Sequence, residues 1–319
     1  MSTSHAVPPV LSHPSRPMLV SSQNYLTVQS HYAGTLAAHY SWMFGGYNAR
    51  LQQNRALLAA HLPRRPTQPP PSSPQQQPPQ SQQPSSTSPS PSHSPSLLPL
   101  AVDLGCGPGF QTIPLLEAGF RVLAVDASKG MLDELDAERV ALNIDPTLIT
   151  AVQDDMLNFR ASVADGTAAT VVCMGDSPTH LASLQEVKQM IDDAFAALAP
   201  GGGTLMLQFR DLTRPLEGTD RFVPVRSDNM TVFTCFLEWE SEQEAKTAVE
   251  PDGSGRRVKV HDLVHVKKGN STWELCKSWY HKLAMSTGWV AQALKDAGFA
   301  QVRVAEPEHG MQLVIGIKA

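Results

Sequence analysis

Between Leu97 and Phe110 an apolar run ends on Asp103 and passes into three alternate glycines, Gly105, Gly107 and Gly109. Glycines at that spacing let a backbone turn sharply and let a ligand come close. A helix over 110–118, stopped by Gly119, follows the turn. Its N-terminus presents unpaired N–H groups to an anionic ligand group. A strand, a glycine turn and a helix in that order need parallel neighbours, so the rest of the chain must supply them.

It does. Arg121–Asp126 reads as a second strand, 129–142 as a helix with Met131, Leu132, Leu135 and Leu142 apolar, and 148–153 and 170–174 as the next two strands. A helix over 183–199 buries Val187, Met190, Ile191, Ala194 and Leu198. Pro200-Gly201-Gly202-Gly203 stops it before a fifth strand, Thr204–Phe209. This alternation predicts a parallel sheet covered on both faces. Over 220–282 the period changes to two. Val258, Val260, Val264 and Val266 share one strand face, and Asp252-Gly253 and Gly269-Asn270 mark turns. An antiparallel β insertion of roughly four strands is expected there. A helix over 287–297, Gly298, and strands near 301–305 and 311–317 restore the α/β pattern.

The N-terminal part has a different composition. Residues 1–102 hold no Asp or Glu, and their bases are Arg16, Arg50, Arg55, Arg64 and Arg65. Residues 1–22 are Ser-, Pro- and His-rich and are expected to be disordered. With one Arg among the first 49 residues, they make a poor organelle-targeting segment. In 23–62, Tyr25, Val28, Tyr32, Leu36, Tyr40 and Met43 recur at spacings of three and four. Gly45-Gly46 interrupts them, and a second helix over 48–61 carries Leu51, Leu57 and Leu58. Such a face needs a core to cover, so these helices should dock as a lid on the domain at 98–319. Between them, 63–97 is dominated by Pro, Ser and Gln, and cannot bury enough apolar surface to offset its ordering entropy. It reads as a disordered linker.

A net charge of −5 gives no electrostatic footprint for nucleic acid or for an anionic membrane. No apolar run approaches the roughly 18 residues of a membrane span. Cys106, Cys173, Cys235 and Cys276 lie far apart, which excludes a disulfide scaffold and suits a reducing, cytoplasmic compartment.

The site chemistry centres on the glycine turn. A dinucleotide fingerprint would need glycine at 110, where Phe110 stands. A second acid, Asp126, lies 21 residues after Gly105 at the end of the second strand, where a carboxylate can accept both hydroxyls of a ribose. Asp155, beside Met156, follows the third strand in position to read an adenine amino group. Acids at successive strand ends surround the crevice where such sheets bind ligands.

At these residues the sequence resembles the class I S-adenosylmethionine-dependent methyltransferases. The matching segments are 103–109, Val125-Asp126-Ala127, Asp154-Asp155-Met156 and Leu198-Ala199-Pro200-Gly201-Gly202. The resemblance implies a Rossmann-like α/β fold with a seven-stranded sheet of order 3-2-1-4-5-7-6. It implies S-adenosyl-L-methionine as cofactor, held by Asp103, Gly105, Cys106, Gly107, Gly109, Asp126, Ala127, Asp155, Met156 and Met174. Among these, Asp126 would take the ribose, Asp155 with the Met156 backbone the adenine, and Asp103 the amino group. The β insertion after the fifth strand and the N-terminal helical lid are similar in layout to glycine N-methyltransferases and sugar N,N-dimethyltransferases. That layout implies a small-molecule methyl acceptor rather than nucleic acid.

The fourth strand runs into Gly175-Asp176-Ser177-Pro178-Thr179-His180, without the Asn/Asp-Pro-Pro-aromatic pattern of base-methylating enzymes. His180 is a candidate base and Asp176 a candidate holder of an acceptor amine. The competing reading is that both fix the loop and the helix entry. Tyr32 is a candidate catalytic group. Tyr40, Trp42 and Arg210 are candidates for contact with the acceptor. His261-Asp262-Leu263-Val264-His265 imitates a zinc motif, but the flanking valines place it on a strand and no metal site is expected. Two other functions share these residues: a cofactor-binding but inactive regulatory module, and a nicotinamide-dependent oxidoreductase, which Phe110 disfavours.

Overall fold

The computed structural model describes residues 40–62, 98–241, 248–269 and 272–319. The expectations for 1–39, which include Tyr32, and for the 63–97 linker lie outside the described residues.

Two helices, α1 (Tyr40–Met43) and α2 (Tyr47–His61), precede the sheet. Then come β1 (Leu100–Leu104), α3 (Thr112–Glu117), β2 (Arg121–Asp126), α4 (Lys129–Ala141), β3 (Ile149–Gln153), β4 (Ala168–Cys173), α5 (Leu184–Ala197) and β5 (Thr204–Phe209). The small sheet is built from β6 (Phe222–Ser227), β7 (Thr231–Trp239), β8 (Arg257–Lys268) and β9 (Thr272–Leu283). The chain closes with α6 (Thr287–Asp296), β10 (Gln301–Val304) and β11 (Gln312–Ile317).

The main sheet has the order β10-β11-β5-β4-β1-β2-β3, with β11 antiparallel to both neighbours. This is the order 3-2-1-4-5-7-6. Sequence order reverses on either side of β1, and that switch point opens a crevice at the C-terminal strand ends. β1 is buried along its whole length. Its alternate residues feed two cores. Leu100, Val102 and Leu104 pack with Val187, Met190, Ile191, Val290 and Leu294 of α5 and α6. Ala101 packs with Ile113, Leu115 and Leu135 of α3 and α4, and with Leu51, Leu57 and Leu58 of α2.

Thus α2 is part of a covering layer. Arg55 forms a two-bonded ion pair with Glu117, which ties α2 to α3, and the Ser41 hydroxyl donates to Glu134 of α4 at 2.6 Å. Gly109, φ 94, sits where α4 crosses the loop. A Cβ there would lie 2.4 Å from Leu135 Cδ1, so close packing demands glycine. The second sheet, β6-β7-β8-β9, is antiparallel throughout. Its inward face carries Phe233, Leu237, Val258, Val260 and Val264. Among the described residues no helix is long and apolar enough to cross a membrane.

Because Leu58 is 1% exposed, Leu58→Ala should lower stability by about 2–4 kcal/mol. Urea denaturation would read this, and a change below about 0.5 kcal/mol would show that α2 is not part of the cooperative core.

Candidate functional site

The loop after β1 is shaped by its own backbone. Gly105 and Gly107 have φ of 68 and 53. The N–H groups of Gly105 and Cys106 both donate to Val125 O, tying the turn to β2. A Cβ on Gly105 would lie 2.7 Å from Ser177, whose hydroxyl donates back to Gly105 O at 3.2 Å. The space above Gly107 ends 3.8 Å away, at the Tyr40 ring.

Asp126 fixes this loop. One carboxylate oxygen accepts the Gly107 N–H and the other accepts the Ser128 N–H, each at 2.8 Å. A carboxylate has about four lone-pair sites, so each oxygen keeps one for a further donor. Burial raises the Asp126 carboxyl, against the pull of those two N–H groups. Asp103 is fully buried, and its Oδ2 accepts from the Thr112 hydroxyl at 2.7 Å. Its Oδ1 is a buried acceptor with no partner among the described residues. Burial pushes the Asp103 carboxyl up to about 7, opposed by Thr112 and assisted by the Asp126 charge.

Asp155 caps the turn Met156–Ser162, its Oδ1 accepting from Leu157 N at 2.9 Å. Met156 lies against the first core, with Sδ 3.9 Å from the Cys173 thiol. Gln153 reaches Ala127 O at 3.3 Å and bridges the ends of β2 and β3. The Cys106 side chain is buried in the second core, and burial raises its thiol well above the ordinary range, so only its backbone faces the loop chemistry. The Met174 side chain is likewise in the core, and its carbonyl accepts the Ser177 N–H at 3.2 Å. Gly109 is required by the packing of Leu135 against the loop.

Past β4 the arrangement departs from the expectation. Asp176 is 3% exposed and left-handed, φ 76, a backbone state Asp tolerates better than most residues. It is no free carboxylate for an amine. Oδ1 accepts the Arg210 N–H at 2.8 Å, and Oδ2 pairs with Lys282 Nζ and, at 3.3 Å, with Arg210 Nη1. Burial alone would raise its carboxyl. The Lys282 and Arg210 charges hold it below the usual range instead. Asp176 therefore staples β9 to the ends of β4 and β5. His180 ends the short turn Ser177–His180, its ring 5.4 Å from that of Tyr280 on β9.

The Tyr40 ring stacks on Phe110 with centroids 6.1 Å apart. Burial raises its phenol, and the charges of Asp126, Arg50 and Asp176 all act on it. Tyr40 therefore faces the glycine loop, with its ring edge 3.8 Å from where a Cβ on Gly107 would stand. Trp42 does not line that space in the same way. Its indole N–H donates to Asp228 at 2.7 Å and Arg226 lies over its ring, so it fastens α1 to the β6–β7 turn.

Three groups escaped the sequence reading. Arg50 has its Nε buried with no partner among the described residues, and burial and Arg210 lower its guanidinium. The signal was the absence of acids from 1–102, which leaves this base no local carboxylate. Lys282 had no signal, because its partner is 106 residues away. Asp262 is 1% exposed in the valine face of β8, accepts from the Cys235 thiol at 3.3 Å, and was the single charge in that alternation. His261 points to the opposite face, where it bonds Glu238 at 2.5 Å.

A diol, an ammonium and a carboxylate are the polar groups of an adenosyl amino acid. Asp126 keeps two lone pairs and, among the described residues, Asp103 Oδ1 is a buried acceptor without a partner and Arg50 Nε a buried donor without one. The residues present fit that group. Residues 101–202 match the profile of a methyltransferase domain family. The chain is 37% identical over 160 residues to a cypemycin N-terminal methyltransferase from Streptomyces sp, covering 48% of this chain and 60% of that protein. It is 36% identical over 117 residues to a glycine/sarcosine N-methyltransferase from Parasynechococcus marenigrum, covering 37% of this chain and 40% of the relative. The chain thus spans about three fifths or less of the curated relatives it matches. Among solved structures, a S-adenosylmethionine-dependent methyltransferase from Clostridium acetobutylicum shares the fold with a TM-score of 0.51 at 15% identity, over 69% of this chain and 83% of that one. An S-adenosylmethionine-bound amino pentose methyltransferase from Micromonospora echinaspora also scores 0.51 at 17% identity, over 70% and 85%. Residues 101–202 thus match a methyltransferase domain family, in a fold shared with S-adenosylmethionine-dependent methyltransferases.

Two outcomes follow from the buried charges. Asp103 has an ordinary value of 3.8 and about 7 in the fold, so between those pH values the folded chain keeps a proton that the unfolded chain has lost. Stability should fall as pH rises through that window and level off above it. In Asp103→Asn that slope should vanish, a relative gain of about 2–4 kcal/mol by pH 8 in urea denaturation; parallel curves would refute the assignment. Lys282→Met leaves Asp176 half-paired and should cost about 3 kcal/mol at pH 7. Because the Asp176 carboxyl is depressed, this deficit should shrink as pH falls below the ordinary carboxylate range. A thermal melt series on the variant that shows no deficit would contradict the staple.

Proposed function

We propose that the protein transfers the methyl group of S-adenosyl-L-methionine to the nitrogen of a small-molecule acceptor. The carrying observation is Asp126, which holds the glycine loop by the Gly107 N–H and keeps a lone pair on each oxygen; two buried polar atoms without a partner among the described residues, Asp103 Oδ1 and Arg50 Nε, support it. The names of the two curated relatives support nitrogen as the acceptor atom.

On this reading Asp126 takes the ribose hydroxyls. Asp155 and the Met156 backbone read the adenine. The Gly105-Cys106-Gly107 backbone and Met174 O line the amino acid portion, Asp103 takes its ammonium and Arg50 its carboxylate. The cofactor supplies an electrophilic methyl carbon on a sulfonium. The acceptor enters between the turn Ser177–His180, Arg210, the inward face of the small sheet and Tyr40. Holding an amine lone pair in line with the methyl carbon, at roughly 3–3.5 Å, does most of the work. His180 takes the proton that the amine sheds. Asp176 acts through Arg210 and Lys282, whose heads it positions. Tyr32 remains a proposed contact. The chain's net charge of −5 and four free cysteines support a cytoplasmic enzyme acting on small molecules rather than on nucleic acid or at a membrane.

Asp126→Ala should stay folded and lose at least about tenfold in S-adenosylhomocysteine affinity, since each hydrogen bond to a charged partner is worth about 1.5–3 kcal/mol. His180→Ala should keep that affinity and lose about 10²–10⁴-fold in kcat with amine acceptors. Calorimetry and an assay of S-adenosylhomocysteine release read the two. Unchanged affinity in the first variant, or no turnover of any amine by the unmodified chain, would overturn the reading.

A further inference from the structure

Asp176 is committed to Lys282 and Arg210, so it is not the carboxylate that receives an acceptor amine. A second buried acid stands on the wall of the same space. Asp262 lies on the inward face of the small sheet, 1% exposed, between the buried side chains of Val260 and Val264.

The strand register fixes its surroundings. Cys235, Asp262 and Ser278 form one row across β7, β8 and β9. The next row on one side is Leu237, Val260 and Tyr280, and the Tyr280 ring lies 5.4 Å from that of His180. One row further, Lys282 reaches down to Asp176. The next row on the other side is Phe233, Val264 and Cys276. Tyr40, Trp42 and Met43 pack against Phe233 and Val264. The row that holds Asp262 is thus a polar band between His180 on one side and Tyr40 on the other.

The Cys235 thiol donates to Asp262 Oδ1 at 3.3 Å, and a thiol is a weak donor. Burial and the Asp262 charge raise that thiol, and the Lys282 and Arg210 charges oppose the rise. Asp262 therefore shares one electrostatic environment with the ends of β5 and β9. A carboxylate in a valine face is unfavourable for the fold, and an apolar side chain would pack there better. Local rules broken in this way are expected at functional sites.

We propose that Asp262 is the seat of the acceptor: its carboxylate receives the ammonium form of the amine, and it thereby selects cationic acceptors over amines that carry a carboxylate close to the nitrogen. The inference rests on methyl transfer to an amine and names the residue that chooses it. An ammonium brings a full positive charge and up to three donors, and such charge-assisted bonds are stronger than those a hydroxyl would make. A second carboxylate in the same enclosed space would meet Asp262 as a like charge.

Propylamine and 3-aminopropanoate present the same amine on chains of equal length and differ in the terminal carboxylate. In calorimetry on the full chain loaded with S-adenosylhomocysteine, propylamine should bind at least about tenfold more tightly than 3-aminopropanoate. Asp262→Asn should lose at least about tenfold in propylamine affinity, and the preference with it, while S-adenosylhomocysteine affinity stays within about twofold. In turnover the same substitution should raise KM for propylamine and leave kcat nearly unchanged, the mark of lost uniform binding. Asp262→Val should melt no lower than the unmodified chain, since apolar packing replaces a buried charge. The proposal is overturned by an unmodified chain that binds no propylamine or prefers 3-aminopropanoate. An Asp262→Asn variant that binds propylamine as before, or an Asp262→Val variant that melts lower, overturns it equally. Asp262-dependent binding of propylamine with no methyl transfer from S-adenosyl-L-methionine would instead overturn the transferase reading and leave the seat standing.

Discussion

The Asp126 carboxylate is the interaction on which the site depends. It accepts one N–H from the glycine loop after β1 and one from the start of α4. Those two bonds hold three chain segments in register at the point where strand order reverses. The same group, with a lone pair left on each oxygen, is the natural seat for a diol. On the proposed reading, structural support and ligand recognition reside in one side chain, and its two hydrogen bonds hold the glycine loop rigid.

The second constraint is the buried cluster at Asp176. A lone carboxylate that deep would be strongly disfavoured. Lys282 from the small sheet and Arg210 from the end of β5 compensate it, so the inserted sheet cannot shift without exposing an unpaired charge. Tyr40 completes the enclosure from the N-terminal side. Its ring lies over Gly107, and its phenol is influenced by Asp126 and Asp176 together. The crevice is thus roofed by parts of the chain more than 200 residues apart, Tyr40 and Lys282.

Much of the main sheet was legible because its signals are local. A glycine at 107 and an acid at the end of β2 announce themselves within a few residues. Element ends moved by one to three residues where helices frayed, as at α3 and α5. The inserted sheet was legible from the valine alternation of β8. What was not legible is pairing at a distance. Asp176 reads in sequence as an available acid, and only the fold brings Lys282 to it. Trp42 reads as a pocket aromatic, and only the fold brings Asp228 to its indole. Gly109 resembles its neighbours in the motif, yet the Leu135 side chain is what requires it. Arg50 and Asp262 are charges in apolar patterns, where burial rather than spacing carries the information.

The central claim, that Asp126 receives a ribose diol, is tested most directly by calorimetric titration of the full chain with S-adenosylhomocysteine and with its 2′,3′-dideoxy analogue. The parent compound should bind at least about 10²-fold more tightly, since two hydrogen bonds to a charged acceptor are lost with the hydroxyls. That difference should collapse in a folded Asp126→Asn variant. Equal affinity of the two compounds for the unmodified chain would contradict the account.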